Sequence, residues 1–125
     1  MQLHELKIQH KYLEDIRAGL KTFELRKNDR NYQVGDLIKF IDIDNPDPEK
    51  ANKKLSDDFI EDLKKGNFEP MPVSLFENLF ENMPKNITIM SLYQITYILQ
   101  DVPEFGLDYD YCIFGIKKVK LISEG

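Results

Sequence analysis

The chain has a single cysteine, Cys112, among its 125 residues. An internal disulfide is excluded, and the apolar run around Cys112 predicts a buried free thiol in a reducing compartment. Histidine is almost as scarce. His4 and His10 lack both a neighbouring cysteine and an H-x-x-x-H spacing, so they form no metal motif and no cofactor is expected. No apolar stretch runs for 18 residues without polar interruption, which is too short for a membrane-spanning helix. The first ten residues have no apolar core behind a basic start. No secretory signal is therefore expected, and the expected location is cytoplasmic. Internal repeats and low-complexity tracts are absent too.

A positive excess is also missing. The net charge is -5, which argues against a general nucleic-acid binder, because phosphate affinity comes mainly from Lys and Arg. The distribution is uneven. Residues 1–43 carry a net +1, residues 44–85 carry -4 and residues 86–125 carry -2. The stretch Gly19–Arg30 alone is +2, so a local anion site is compatible with an acidic chain. The hydrophobic fraction of 42% and the length suffice for one domain with its own core, expected to span residues 1–125.

Periodicity predicts the elements. A short strand is expected at 2–8. A helix follows at 10–18, with Tyr12, Leu13 and Ile16 on one face and Gly19 at its left-handed C-terminal cap. The period then changes to two: Phe23 and Leu25 alternate with Thr22, Glu24 and Arg26. The expectation is a strand with Phe23 and Leu25 facing inward. Asn28–Asn31 and Val34-Gly35-Asp36 read as turns. A strand is expected at 37–43, and Asn45-Pro46-Asp47-Pro48 ends it. Residues 44–85 read as a helical insertion. One helix is capped by Ser56, has an apolar stripe of Leu55, Phe59, Ile60 and Leu63, and ends at Gly66. Pro70 and Pro72 follow, and Ser74 caps a second, short helix with Leu75, Phe76, Leu79 and Phe80. These stripes either cover one end of the sheet or form a homo-oligomer interface. Strands are expected at 87–99, with Tyr93 and Tyr97 on one face, and at 111–122. The fold class is α+β.

The densest chemistry lies in Gly19-Leu20-Lys21-Thr22-Phe23-Glu24-Leu25-Arg26, followed by Lys27-Asn28-Asp29-Arg30. Lys21 is a cation for a phosphate or, if desolvated, a base. Glu24 and Arg26 share a strand face. They can read a ligand edge, or they can form a structural ion pair. Thr22 adds a hydroxyl on the same face. Asn28 and Asp29 are turn formers, and Arg30 can reach a phosphate or stack on a base. His4 suits a hydrogen bond at the sheet rim. Asp108–Tyr111 read as a solvated loop, with the lining of a cleft as the alternative, and the trio Lys117, Lys118 and Lys120 as a solvated strand end, with a wider basic surface as the alternative.

The run Gly19–Arg26 fits G-x-K-x-x-E-x-R, and by it the chain resembles the ASCH domain superfamily, whose members resemble PUA domains. It looks closest to an uncharacterised ASCH-related family. That family opens on His-Glu-Leu-Lys, as at His4–Lys7, continues to G-x-K-x-x-E-x-R-K-N-D-R, as at Gly19–Arg30, and reaches a V-G-D turn, as at Val34–Asp36. The match is good over about residues 3–41 and returns weakly at Tyr111–Val119. The resemblance implies a PUA-like small mixed β pseudo-barrel flanked by helices, carrying the helical insertion.

It further implies RNA or a nucleotide-like small molecule as partner, held by Lys21, Thr22, Glu24, Arg26, Asn28 and Arg30. Some small members resemble amidohydrolases acting on acylated nucleosides, with a threonine nucleophile three residues after the lysine. Here that position is Glu24. Thr22 lies two residues off, roughly 6–7 Å along a strand. If the chain is an enzyme, Lys21 and Glu24 are its candidate catalytic residues, with Glu24 as a general base toward water. Binding is the leading expectation and hydrolysis the alternative.

Overall fold

Six residues alternating in and out open the chain as β1, Leu3–Ile8, with His4, Leu6 and Ile8 buried. The computed structural model describes residues 1–44, 57, 60–62, 64–66, 68–72 and 92–122. After β1 come α1 (His10–Arg17), β2 (Phe23–Lys27), β3 (Leu37–Asp42), β4 (Glu69–Pro72), β5 (Leu92–Leu99) and β6 (Tyr111–Ile122). They build one six-stranded sheet in the order β1-β3-β5-β6-β2, with β4 paired to β6. The sheet is mixed and curls into a half-barrel. β1 runs parallel to β3, and β3, β5, β6 and β2 alternate antiparallel. The two ends of the sheet, β1 and β2, therefore run antiparallel to each other.

α1 covers one face. Leu13 and Ile16 enter a core with Leu6, Ile8, Tyr32, Ile38, Phe40, Tyr93, Ile95, Cys112, Phe114 and Ile116. Cys112 is fully buried, and burial pushes its thiol pKa up, with Asp29 adding to the effect. A smaller cluster of Leu37, Leu92 and Val119 lies on the other face of the sheet. The helix ends as its sequence predicts. Gly19 adopts φ +78°, and the amides of Gly19 and Leu20 return to the carbonyls of Ile16 and Asp15, a closure that a left-handed residue permits. Tyr12 departs from its expected place in the stripe: it sits at the margin, 42% exposed.

Two other expectations are corrected. Tyr93 and Tyr97 do not share a face. The ladder with β6 slips between Ile95 and Tyr97, leaving Thr96 as an extra residue, so Tyr93 is buried and Tyr97 exposed. Such a bulge reverses the parity of the residues beyond it. Residues Glu69–Pro72, expected to lie within the helical insertion, form strand β4. β4 pairs parallel with the end of β6, beyond the residues that bond β2. Pro70 and Pro72 lie two apart, so both missing N–H groups fall on one edge, where proline is tolerated.

Of the expected insertion, Asp57, Ile60, Glu61, Asp62, Lys64 and Lys65 are helical and Gly66 closes the turn at φ +70°. The second helix, the strand residues 87–91 and the side chains of Phe59, Phe76 and Phe80 lie outside the described residues. Among those described, no helix is long and apolar enough to cross a membrane.

Candidate functional site

The ladder between β2 and β6 sets the site. Glu24 lies opposite Phe114 and Arg26 opposite Cys112. Phe114 and Cys112 are fully buried, and directly opposed residues share a face. Glu24 is therefore carried to the core side and is only 5% exposed, while Phe23 and Leu25 point outward, 49% and 54% exposed. This reverses the expected inward pair Phe23/Leu25. A buried carboxylate is costly unless paired, and Glu24 is paired twice. Lys21 Nζ donates to its Oε1, and Arg26 Nε donates to its Oε2 at 2.9 Å.

Arg26 also reaches across the opening of the sheet, its terminal nitrogen donating to the carbonyl of Lys7 at 2.8 Å. Arg30 does the same to the carbonyl of Glu5 at 3.0 Å. Two guanidinium groups, one on β2 and one in the turn after it, thus reach β1, which shares no backbone ladder with β2. Beside this bridge lies a cleft of about 490 Å³ lined by Lys7, Ile8, Gln9, Tyr12, Lys21, Phe23, Glu24, Leu25, Arg26, Lys27 and Ile43. Four cations and one carboxylate stand in that wall. The Lys21 ammonium also faces two rings, 5.5 Å from the centroid of Tyr12 and 5.3 Å from that of Phe23, a cation–π arrangement.

The expected site residues divide. Lys21, Glu24 and Arg26 converge on this cleft. Thr22 does not: it precedes β2, is exposed, and lines a neighbouring cleft of about 370 Å³ with Arg17, Lys117 and Lys118. Among the described residues, only Lys21 borders both. Asn28 is tied to Gln100 at 3.0 Å and by its amide to Asp110. Arg30 braces β1. Neither Asn28 nor Arg30 lines the larger cleft. Tyr12, Lys7 and Lys27 do line it, although Lys7 and Lys27 stand in the family motifs with no site role expected for them. Tyr12 is expected inside the apolar stripe of the helix, and its place at the margin is what brings its ring to the cleft.

Other polar residues serve the frame. His4 Nε2 lies 2.8 Å from Asp36 Oδ2, both groups buried, and Asp36 also accepts from the amides of Gln2 and Gln33 at 3.0 Å each. Burial works to raise the Asp36 pKa. The His4 hydrogen bond, the two amides and the His4 charge outweigh it and hold the carboxyl below its ordinary value. His10 bridges α1 to β3 through Asp42 at 2.6 Å. Lys118 donates to Asp62 at 3.1 and 3.2 Å and to the carbonyl of Arg17 at 2.6 Å, and Lys120 stands 3.7 Å from Asp62. These two lysines pin a helical segment to β6, so they are not a solvated strand end. Among the described residues, no three His, Cys, Asp or Glu side chains gather as metal ligands.

Residues 3–66 match the model of a family described as a domain of unknown function, DUF3850. The whole wall of the larger cleft falls inside that segment. The chain is also 43% identical over 37 residues to a protein of Escherichia phage P2 described as an uncharacterized 12.9 kDa protein in the GpA 3′ region. That alignment covers 30% of this chain and 34% of the phage protein, so the chain spans about a third of that relative's length.

Proposed function

The chain belongs to the DUF3850 family of domains of unknown function, and from the cleft inside the family segment we propose that it binds a nucleotide or a short single strand of RNA. The observation that carries this reading is the convergence of Lys21, Glu24 and Arg26 on one cleft, with Lys7, Lys27, Tyr12 and Phe23 around them. Cations at the rim suit phosphates, and exposed rings suit the π-face of any base. The G-x-K-x-x-E-x-R signature supplies the central three residues. The half-barrel is compatible with the PUA-like architecture of the ASCH superfamily that we propose for the chain. Hydrolysis is less well supported. Both Glu24 oxygens are engaged by cations, and Thr22 lies in the other cleft.

Fluorescence titration of a labelled single-stranded RNA octamer, and calorimetry with nucleoside monophosphates, test the reading at two salt concentrations. Binding is expected to weaken with salt. Lys7→Ala and Lys27→Ala are each expected to lower the slope for the single strand by about 0.7. A folded protein that binds neither probe at low salt refutes the reading. Release of free cytidine from an acylated cytidine, lost in Lys21→Ala, would replace it with the hydrolytic one.

A further inference from the structure

Among the described residues the outer edge of β2 is unpaired, and the parity of its ladder says which groups it offers. The carbonyl of Thr22 accepts from Ile116, and the amide of Asn28 donates to Asp110. In an antiparallel pair the bonded positions repeat every second residue. The even positions of β2 thus bond β6, and the odd ones face away from it. β2 ends the sheet order, so among the described residues no strand meets those odd positions. The Lys27 carbonyl accepts from Asp29 within the turn. Among the described residues the N–H and C=O of Phe23 and of Leu25 are left without a main-chain partner, and both residues line the cleft. β1 presents its odd positions to the same gap. The carbonyls of Gln2 and Ile8 bond toward β3, whereas those of Glu5 and Lys7 take Arg30 and Arg26. The guanidinium groups therefore cap the β1 side of the opening, while Phe23 and Leu25 on the β2 side keep their main-chain groups.

We propose that these groups read the hydrogen-bonding edge of an unstacked nucleobase, with Leu25 as the central reader. This rests on the nucleotide reading above and deepens it by naming the groups that read the base, whose pairing edge a duplex does not offer. In an extended strand the N–H and C=O of one residue point the same way, giving a donor beside an acceptor. Each base carries a complementary donor and acceptor on its pairing edge, which is free only when the base is unpaired. The rings of Tyr12 and Phe23 flank the Lys21 ammonium within 5.5 Å, offering a stacking surface next to that edge. A peptide strand would seek the same groups. The four cations and two rings of the cleft favour a base and its phosphate.

Leu25→Pro tests the idea, because it deletes one outward N–H while leaving the even-position bonds to β6, and proline is tolerated on such an edge. Circular dichroism and thermal unfolding check the fold, and Leu25→Ala controls for the lost side chain. Leu25→Pro is expected to weaken nucleoside monophosphate binding about tenfold, and Leu25→Ala by much less. A second measurement uses the unaltered protein: N6,N6-dimethyl-AMP and 3-methyl-UMP, whose edges are blocked, are expected to bind about tenfold more weakly than AMP and UMP. Ribose 5-phosphate is expected to bind weakest. If the blocked nucleotides or ribose 5-phosphate bind as tightly as AMP and UMP, or a duplex RNA as tightly as its single strand, base-edge reading is overturned while anion binding stands. If no nucleotide or RNA binds, the parent reading fails. Binding of an extended Val-Thr peptide in their place would assign the edge to strand addition.

Discussion

The guanidinium of Arg26 donates to the main-chain carbonyl of Lys7 at 2.8 Å, so one side chain of β2 spans the gap between the two ends of the sheet. The same group holds the buried Glu24 through its Nε. A signature arginine thus joins the frame of the half-barrel to the wall of the cleft. Binding and folding at this position are not separable by simple truncation.

Arg26→Ala leaves Glu24 with Lys21 alone and uncaps the Lys7 carbonyl. We expect a loss of about 2–3 kcal/mol in urea unfolding. Arg26→Lys restores a charge near Glu24, yet an ammonium lacks the fork that meets both acceptors, so its loss should be intermediate. The double variant Arg26→Ala/Glu24→Ala should lose less than the sum of the single losses, since the second change removes the carboxylate stranded by the first.

Asp36 gives the acid limb of stability a specific origin. Its folded-state pKa lies below the ordinary value of 3.8: burial raises it, and the His4 hydrogen bond, the amides of Gln2 and Gln33 and the His4 charge lower it further. A depressed carboxylate contributes stability that is fully present above the unfolded value and lost as pH falls below it through the folded one. Asp36→Asn should cost about 2 kcal/mol at neutral pH. The difference from the unaltered protein should narrow as pH falls below about 3.8. A constant difference across an acid titration of the urea midpoint would remove Asp36 from this role.

Gly115 lies opposite the bulge of β5. A Cβ there would stand 2.8 Å from Thr96 Oγ1. Gly115→Ala should therefore cost about 1–2 kcal/mol through overpacking. In a Thr96→Ala background the obstacle is gone, and the same change should be near neutral, since alanine is at least as favourable as glycine in a strand. Equal costs in the two backgrounds would show that Thr96 is not what excludes a side chain at 115.

Local elements were legible in the sequence because their causes are local. The alternation of β1, the cap at Gly19 and the apolar run of β3 each lie within a few residues. What escaped depends on partners far along the chain. Glu24 faces inward because Phe114 and Cys112 bury their side of β6, and because Lys21 and Arg26 neutralise it there. Phe23 and Leu25 are apolar, so alternation alone sends them to the wrong side. Pro70 and Pro72 disguise a strand that proline permits only on an edge. The site was legible at Lys21, Glu24 and Arg26, where a motif concentrates the charge. Lys7, Tyr12 and Lys27 join it only once β1, α1 and β2 are folded together.

The inverted faces of β2 lead to an expectation opposite to that of the apolar pattern. If Leu25 were inward, Leu25→Thr would bury a hydroxyl and truncate the core, at a cost of about 2 kcal/mol or more. Leu25 is instead more than half exposed, and threonine suits a solvated strand position. Leu25→Thr should therefore stay within about 0.5 kcal/mol of the unaltered protein. Phe114→Ala, opposite Glu24 and fully buried, should cost about 3–5 kcal/mol. Urea midpoints of the two variants decide the matter directly. A large loss for Leu25→Thr beside a small one for Phe114→Ala would require the register of β2 on β6 to shift by one residue. Such a slip would also carry Glu24 and Arg26 out of the cleft.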